Sequence, residues 1–171
     1  MCLSLESYKG YFKSFSMRKI IVFCLVVLLA SCKDKEVVDA DPDLSTDFIG
    51  NYFTATANDT YNTNEDWAIT RMDKNLLQIT YKVVTNYSKP QPLTLTYVYT
   101  LKNVVINNAT TFTVNESADV DKNGTMARSK VEGTGVKLDV NGLTKIGITF
   151  KITDLADNKV TTREYLEFKK K

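Results

Sequence analysis

Histidine is absent from all 171 residues. Ser-His-Asp triads, Cys-His dyads and Cys/His zinc sites are therefore excluded, because each needs an imidazole as base or ligand. Chemistry is left to carboxylates, Lys, Arg, Tyr, Ser or an oxygen-bound metal. Asp119-Val120-Asp121-Lys122-Asn123-Gly124 sets oxygen donors at alternate positions before a glycine, the spacing of a calcium loop. The bidentate Glu that would close such a loop falls on Lys130, whose charge repels a cation, so the stretch reads as a hairpin turn with no metal. Glu65 and Asp66 are a carboxylate pair, but adjacent strand residues point to opposite faces and cannot flank one bond; they read as surface solvation. Arg71 is in phase with Trp67 and Ile69, and Glu164 with Val160, Leu166 and Phe168. If those faces point inward, each charge is a polar anchor for a ligand headgroup; otherwise it is a strand end at the rim or marks a register one residue out of phase. Trp67, Tyr81, Tyr97, Tyr99, Phe112 and Phe150 either line a ligand cavity or fill a core. No nucleophile, base and oxyanion donors assemble, so neither an enzyme nor a cofactor is expected.

Cysteine carries the second signal. Of three cysteines, Cys2 and Cys24 precede a small-residue site at Ala30-Ser31-Cys32. Met17-Arg18-Lys19 gives a basic start, and Ile20 to Ala30 is an apolar run of 11 residues. At 1.5 Å per residue that run makes roughly 17 Å of helix, short of a hydrocarbon core of about 30 Å. These parts make a secretory signal over 1–31. Leu29-Ala30-Ser31-Cys32 resembles the lipobox of bacterial lipoproteins. The resemblance implies cleavage between Ser31 and Cys32, acylation of Cys32 with diacylglyceryl and palmitate-type chains, and a membrane as partner. Met1 to Ser16 fits poorly as the front of a signal, and translation is expected to start at Met17.

Removing the signal leaves 18 basic and 19 acidic residues. That balance gives no reason to expect nucleic acid as partner, since polyanion binding needs clustered positive charge. With one cysteine left and lipid on it, no disulfide is expected. Residues 32–46 are charged and poor in large apolar side chains, and read as a disordered tether. Such a segment spans about 20 Å on average, enough to hang a domain clear of a bilayer. Lys33-Asp34-Lys35-Glu36 is similar to the export signal of Bacteroidetes surface lipoproteins, which implies a cell-surface position on the outer membrane; an ordinary linker facing the periplasm explains the same residues. Triplets beginning at Asn58, Asn86, Asn108, Asn115 and Asn123 match a glycosylation acceptor, but an Asn- and Thr-rich chain makes them by chance.

The elements that would position these side chains follow a period of two. Leu93, Leu95, Tyr97, Tyr99 and Leu101 alternate with Thr94, Thr96, Val98 and Thr100. Leu77, Ile79, Tyr81 and Val83 repeat the pattern, as do Ile146, Ile148, Phe150 and Ile152. No stretch beyond Phe48 holds a helical stripe. Breaks are expected at Asn58 to Glu65, Asp73 to Asn75, Ser88 to Pro92, Asn107-Asn108, Asp121 to Gly124, Asn141-Gly142 and Asp154 to Lys159. They leave about eight short antiparallel strands in a single all-β domain, 47–171. A meander of that size closes into an up-and-down barrel, which removes exposed edges, or splits into a two-layer sandwich. Lys169-Lys170-Lys171 is expected to discourage pairing at the last edge.

Phe48-Ile49-Gly50-Asn51-Tyr52 is similar to the Gly-x-Trp opening of lipocalins and related calycin barrels. The resemblance covers Phe48 to Phe168 and implies an eight-stranded barrel, with Tyr52 in the place of Trp and a basic residue, Arg163 by analogy, packed on that ring. The expected function is a lipid-anchored envelope module that holds a small apolar molecule or a glycan. In that reading Trp67, Arg71, Tyr81, Tyr97, Tyr99, Phe150 and Glu164 contact the ligand. The alternative is a non-catalytic component with a filled core and an envelope protein as partner.

Overall fold

The structure, a computed structural model, describes residues 42–171. The signal, Cys32 and the tether up to residue 41 lie outside the described residues. Eight strands follow in chain order: β1 (Gly50–Ala57), β2 (Tyr61–Asp73), β3 (Leu76–Tyr87), β4 (Leu93–Asn108), β5 (Thr111–Lys122), β6 (Thr125–Val140), β7 (Leu143–Asp154) and β8 (Val160–Lys170). Each pairs antiparallel with the next, and β8 returns to β1, so the sheet is a closed up-and-down barrel rather than a sandwich. The seam is short. Tyr52 faces Lys170, Phe53 faces Lys169, and the Lys171 N–H donates to the Asn51 carbonyl at 2.8 Å. The terminal lysines thus make the closing pair instead of blocking it. Their charges find partners over the seam: Lys171 Nζ sits 2.6 Å from Asp66 Oδ1, and Lys170 Nζ lies 5.7 Å above the Tyr52 ring. Lys170 holds the place that the lipocalin resemblance gave to Arg163, because Tyr52 pairs with the far end of β8.

Alternation sorts the side chains as the pattern predicts. Leu77, Ile79, Tyr81 and Val83 are buried, and so are Ile146, Ile148, Phe150 and Ile152. Two-residue turns at Asn123-Gly124 and Asn141-Gly142 take positive φ at both positions (52° and 84°, 52° and 77°), the geometry that matches strand twist. Elsewhere the strands are longer than composition suggests. Tyr61 to Glu65 belong to β2 and Asn107-Asn108 to β4; the chain turns instead at Asn58–Thr60 and Ala109-Thr110. Polar side chains on these runs pair across strands, Asn86 donating to Asn62 at 2.9 Å and Asn107 to Thr113 at 2.8 Å, so a polar stretch here is a solvated strand face. Phase also slips within strands. On β4 it changes after Leu101, where the register jumps from Ile79↔Leu101 to Leu77↔Val104, and Val104 and Ile106 take over the inward face.

The two ends of the barrel differ. At the end that carries the β2–β3, β4–β5 and β6–β7 turns, a 3-10 turn, Ser45–Asp47, closes the base. Phe48 enters it edge-on to Phe112 at 5.6 Å, and Tyr52 Oη donates to the Phe48 carbonyl at 3.0 Å. Leu44 N–H donates to Asn75 Oδ1 at 2.8 Å, and Ser45 Oγ to the Asp73 carbonyl at 3.2 Å. Residues 42–46, expected to continue the tether, are therefore part of this plug. Above it Trp67 stacks on Phe168 at 4.3 Å and meets Phe150 at 5.4 Å and Phe112 at 6.2 Å. Gly135 faces Phe112 across the β5–β6 pair and leaves room for its ring; a Cβ there would fall 2.2 Å from Phe112 Cζ. This half is filled.

Candidate functional site

The opposite half is hollow. A cavity of about 390 Å³ lies between the ends of β3 to β8, where the β3–β4, β5–β6 and β7–β8 connections emerge. Its walls carry Tyr81, Tyr87, Tyr97 and Tyr99, with Val83 and Ile152 between them. Trp67 and Phe150 form the layer beneath: Tyr81 stacks on Phe150 at 5.5 Å and on Tyr99 at 5.4 Å, and Trp67 meets the Tyr81 ring edge-on at 5.9 Å. Of the ligand contacts expected from sequence, Tyr81, Tyr97 and Tyr99 thus line the cavity, and Trp67 and Phe150 support its floor.

Arg71 and Glu164 do not enter it. Arg71 stands at the plugged end, half exposed, and pairs with Asp43 at 2.8 Å. Glu164 is exposed because β8 bulges: Ile148 pairs with Leu166 but Phe150 with Arg163, so two β8 residues, Glu164 and Tyr165, stand opposite Thr149. A bulge of one residue reverses the faces on its far side. Arg163 and Thr161 turn inward in place of Glu164, and both line the cavity. No local composition marks that bulge, so strict alternation from Phe168 picks the wrong charge.

The interior carboxylate is Glu65, only 2% exposed. It points away from Asp66 as strand geometry requires, but its side faces the barrel interior and not the surface. The Tyr81 hydroxyl donates to Glu65 Oε2. Burial pushes the Tyr81 phenol well above its ordinary value, the Glu65 charge and hydrogen bond push it further, and Arg163 opposes the rise. Burial raises Tyr99 also, again against Arg163. Both phenols are therefore neutral donors at physiological pH, and both feel the Arg163 guanidinium. Beside them the Thr63 and Thr85 hydroxyls share a buried hydrogen bond at 3.0 Å.

At the mouth, Lys122 is bound to Asp154. That hydrogen bond holds the Asp154 carboxyl below its ordinary value, with Lys159 adding to the effect. Ser129, 1% exposed, adds a hydroxyl to the wall. The Asp119 to Gly124 stretch is the end of β5 and its hairpin, where Asp121 Oδ1 accepts from the Gly124 N–H at 2.6 Å and so serves the turn. Among the described residues no group of three Asp, Glu, His or Cys is placed to hold a metal ion.

Fold and cavity together define a class: an eight-stranded up-and-down barrel, plugged at one end, with an aromatic pocket carrying an arginine at the other. No family model, curated protein or solved structure matches the chain.

Proposed function

We propose that this protein is a lipid-anchored binding barrel of the bacterial outer membrane that holds a small molecule in its open half. The observation that carries the reading is the division of the interior, packed solid below Trp67 and Phe150 and hollow above them. A barrel of eight strands has room for its own side chains and little more. Here Ser129 and Thr161 on the interior face keep that room open and make it polar, while four tyrosines supply walls with an apolar body and a hydroxyl tip. Concave, mostly apolar space with a few placed polar groups is the form of a small-molecule site. The carboxylates of the pocket region, Glu65 and Asp154, are already engaged by Tyr81 and Lys122, which supports retention over catalysis. In this reading the lipid on Cys32 keeps the barrel at the membrane, and the tether sets its reach. Native mass spectrometry of the protein purified from its own host without detergent exchange tests the proposal. A discrete adduct of a few hundred daltons, lost when Tyr99→Trp fills the cavity, is expected; a bare mass in both proteins rejects it.

A further inference from the structure

The charges of the pocket indicate which class of small molecule it takes. Three cations line the cavity. Lys122 is bound to Asp154, and Lys159 also faces that carboxylate. Arg163 is different: half-buried, it has no ion pair or side-chain hydrogen bond among the described residues. Its charge acts on the neutral Tyr81 and Tyr99 phenols. Glu65, whose charge also acts on Tyr81, makes no ion pair with Arg163 among the described residues. A guanidinium set in an aromatic cavity with its five donors unused is a receptor for a planar anion, because it can bind both oxygens of a carboxylate at once.

Position decides the orientation. Arg163 pairs with Phe150, one layer deeper than Thr161 and Ile152. It therefore stands near the floor, with Tyr97, Tyr87 and the Lys122–Asp154 bridge toward the mouth. We infer that the cavity binds a small aromatic carboxylate, head down on Arg163, with its ring held between the tyrosines. Tyr99, whose hydroxyl has no side-chain partner among the described residues, donates to the same head, while the Tyr81 hydroxyl stays on Glu65, and the flat rings favour a planar body by offset stacking. Positive charge without a local partner disfavours a cationic ligand, and about 390 Å³ excludes a lipid with several chains.

The inference rests on the binding reading above, and one titration separates the two. The exported domain, residues 32–171 with Cys32→Ser, is titrated with 1-naphthoate, with neutral 1-naphthalenemethanol and with 1-naphthylmethylammonium, followed by quenching of its single Trp, Trp67. Expected is binding of naphthoate about 10- to 100-fold tighter than of the alcohol, the range for a charge-assisted hydrogen bond. Arg163→Gln abolishes that preference, so that acid and alcohol bind alike. Unchanged circular dichroism and Tm show that the variant is folded. Equal binding of acid and alcohol, or a preference that survives Arg163→Gln, overturns the anion assignment and leaves the binding site standing. Failure of all three probes at millimolar concentration rejects the site as well, and tighter binding of the ammonium reverses the assigned charge.

Discussion

Tyr81→Phe separates the polar part of the pocket floor from its packing. The substitution keeps the ring that stacks on Phe150 and Tyr99 and meets Trp67. It removes only the hydroxyl that donates to Glu65. Glu65 is 2% exposed and has no other side-chain hydrogen bond among the described residues. Loss of the donor leaves a buried acceptor unpaired, which costs about 1.5 to 3 kcal/mol when the acceptor is charged. For a domain of this size that lowers Tm by roughly 5 to 12 °C. Urea unfolding of four proteins, the parent, Tyr81→Phe, Glu65→Gln and the double variant, closes a thermodynamic cycle. The expected coupling is at least about 1 kcal/mol, because residues in one hydrogen bond do not lose stability additively. A Tyr81→Phe cost under about 0.5 kcal/mol with unchanged m would mean that Glu65 is served by solvent, and the buried-pair argument would fail.

Three further predictions test the base, the phenols and the anchor. Gly135→Ala drives a Cβ to within 2.2 Å of the buried Phe112 ring and should cost about 1 to 3 kcal/mol, whereas Gly147→Ala meets only Tyr165, 56% exposed and able to swing outward, and should cost less than about 1 kcal/mol. Equal costs in denaturant melts would show that the glycine on the inner face is not there for Phe112. Tyr52, pushed up to about 12 by burial and by Asp139, and Tyr81 and Tyr99, also raised, keep their protons in the folded state after unfolded tyrosine ionises near pH 10. Their stabilisation is complete below about pH 10 and is lost as pH rises through the folded values, so absorbance at 295 nm should show these three ionising together with unfolding. Cys32→Ser in the host should abolish incorporation of radiolabelled palmitate and release or strand the precursor, since one acyl chain binds a bilayer only marginally and two bind stably; continued labelling and membrane retention would refute the anchor.

Much of the architecture was legible because β structure writes a short period into the chain. Residues at spacing two, as in Leu77 to Val83 and Ile146 to Ile152, need no knowledge of distant neighbours to declare an inner face. Asn-Gly turns are equally local, since the positive φ they need is a property of two residues. The pocket was legible only in part. Tyr81, Tyr97 and Tyr99 follow from unbroken alternation, but Arg163 lies beyond the bulge at Glu164-Tyr165 and Glu65 lies in a polar run that reads as loop.

What the chain alone determined is therefore the set of strands, their order and most of their inner faces, because backbone sterics and side-chain alternation act over a few residues. Only the closed barrel decided which charges entered. A bulge depends on how eight strands share one circumference, and the burial of Glu65 depends on a tyrosine sixteen residues away on the next strand. The hollow half is likewise a property of closure: whether aromatic side chains fill a space or line it is set by the radius of the barrel, to which no single strand holds the key.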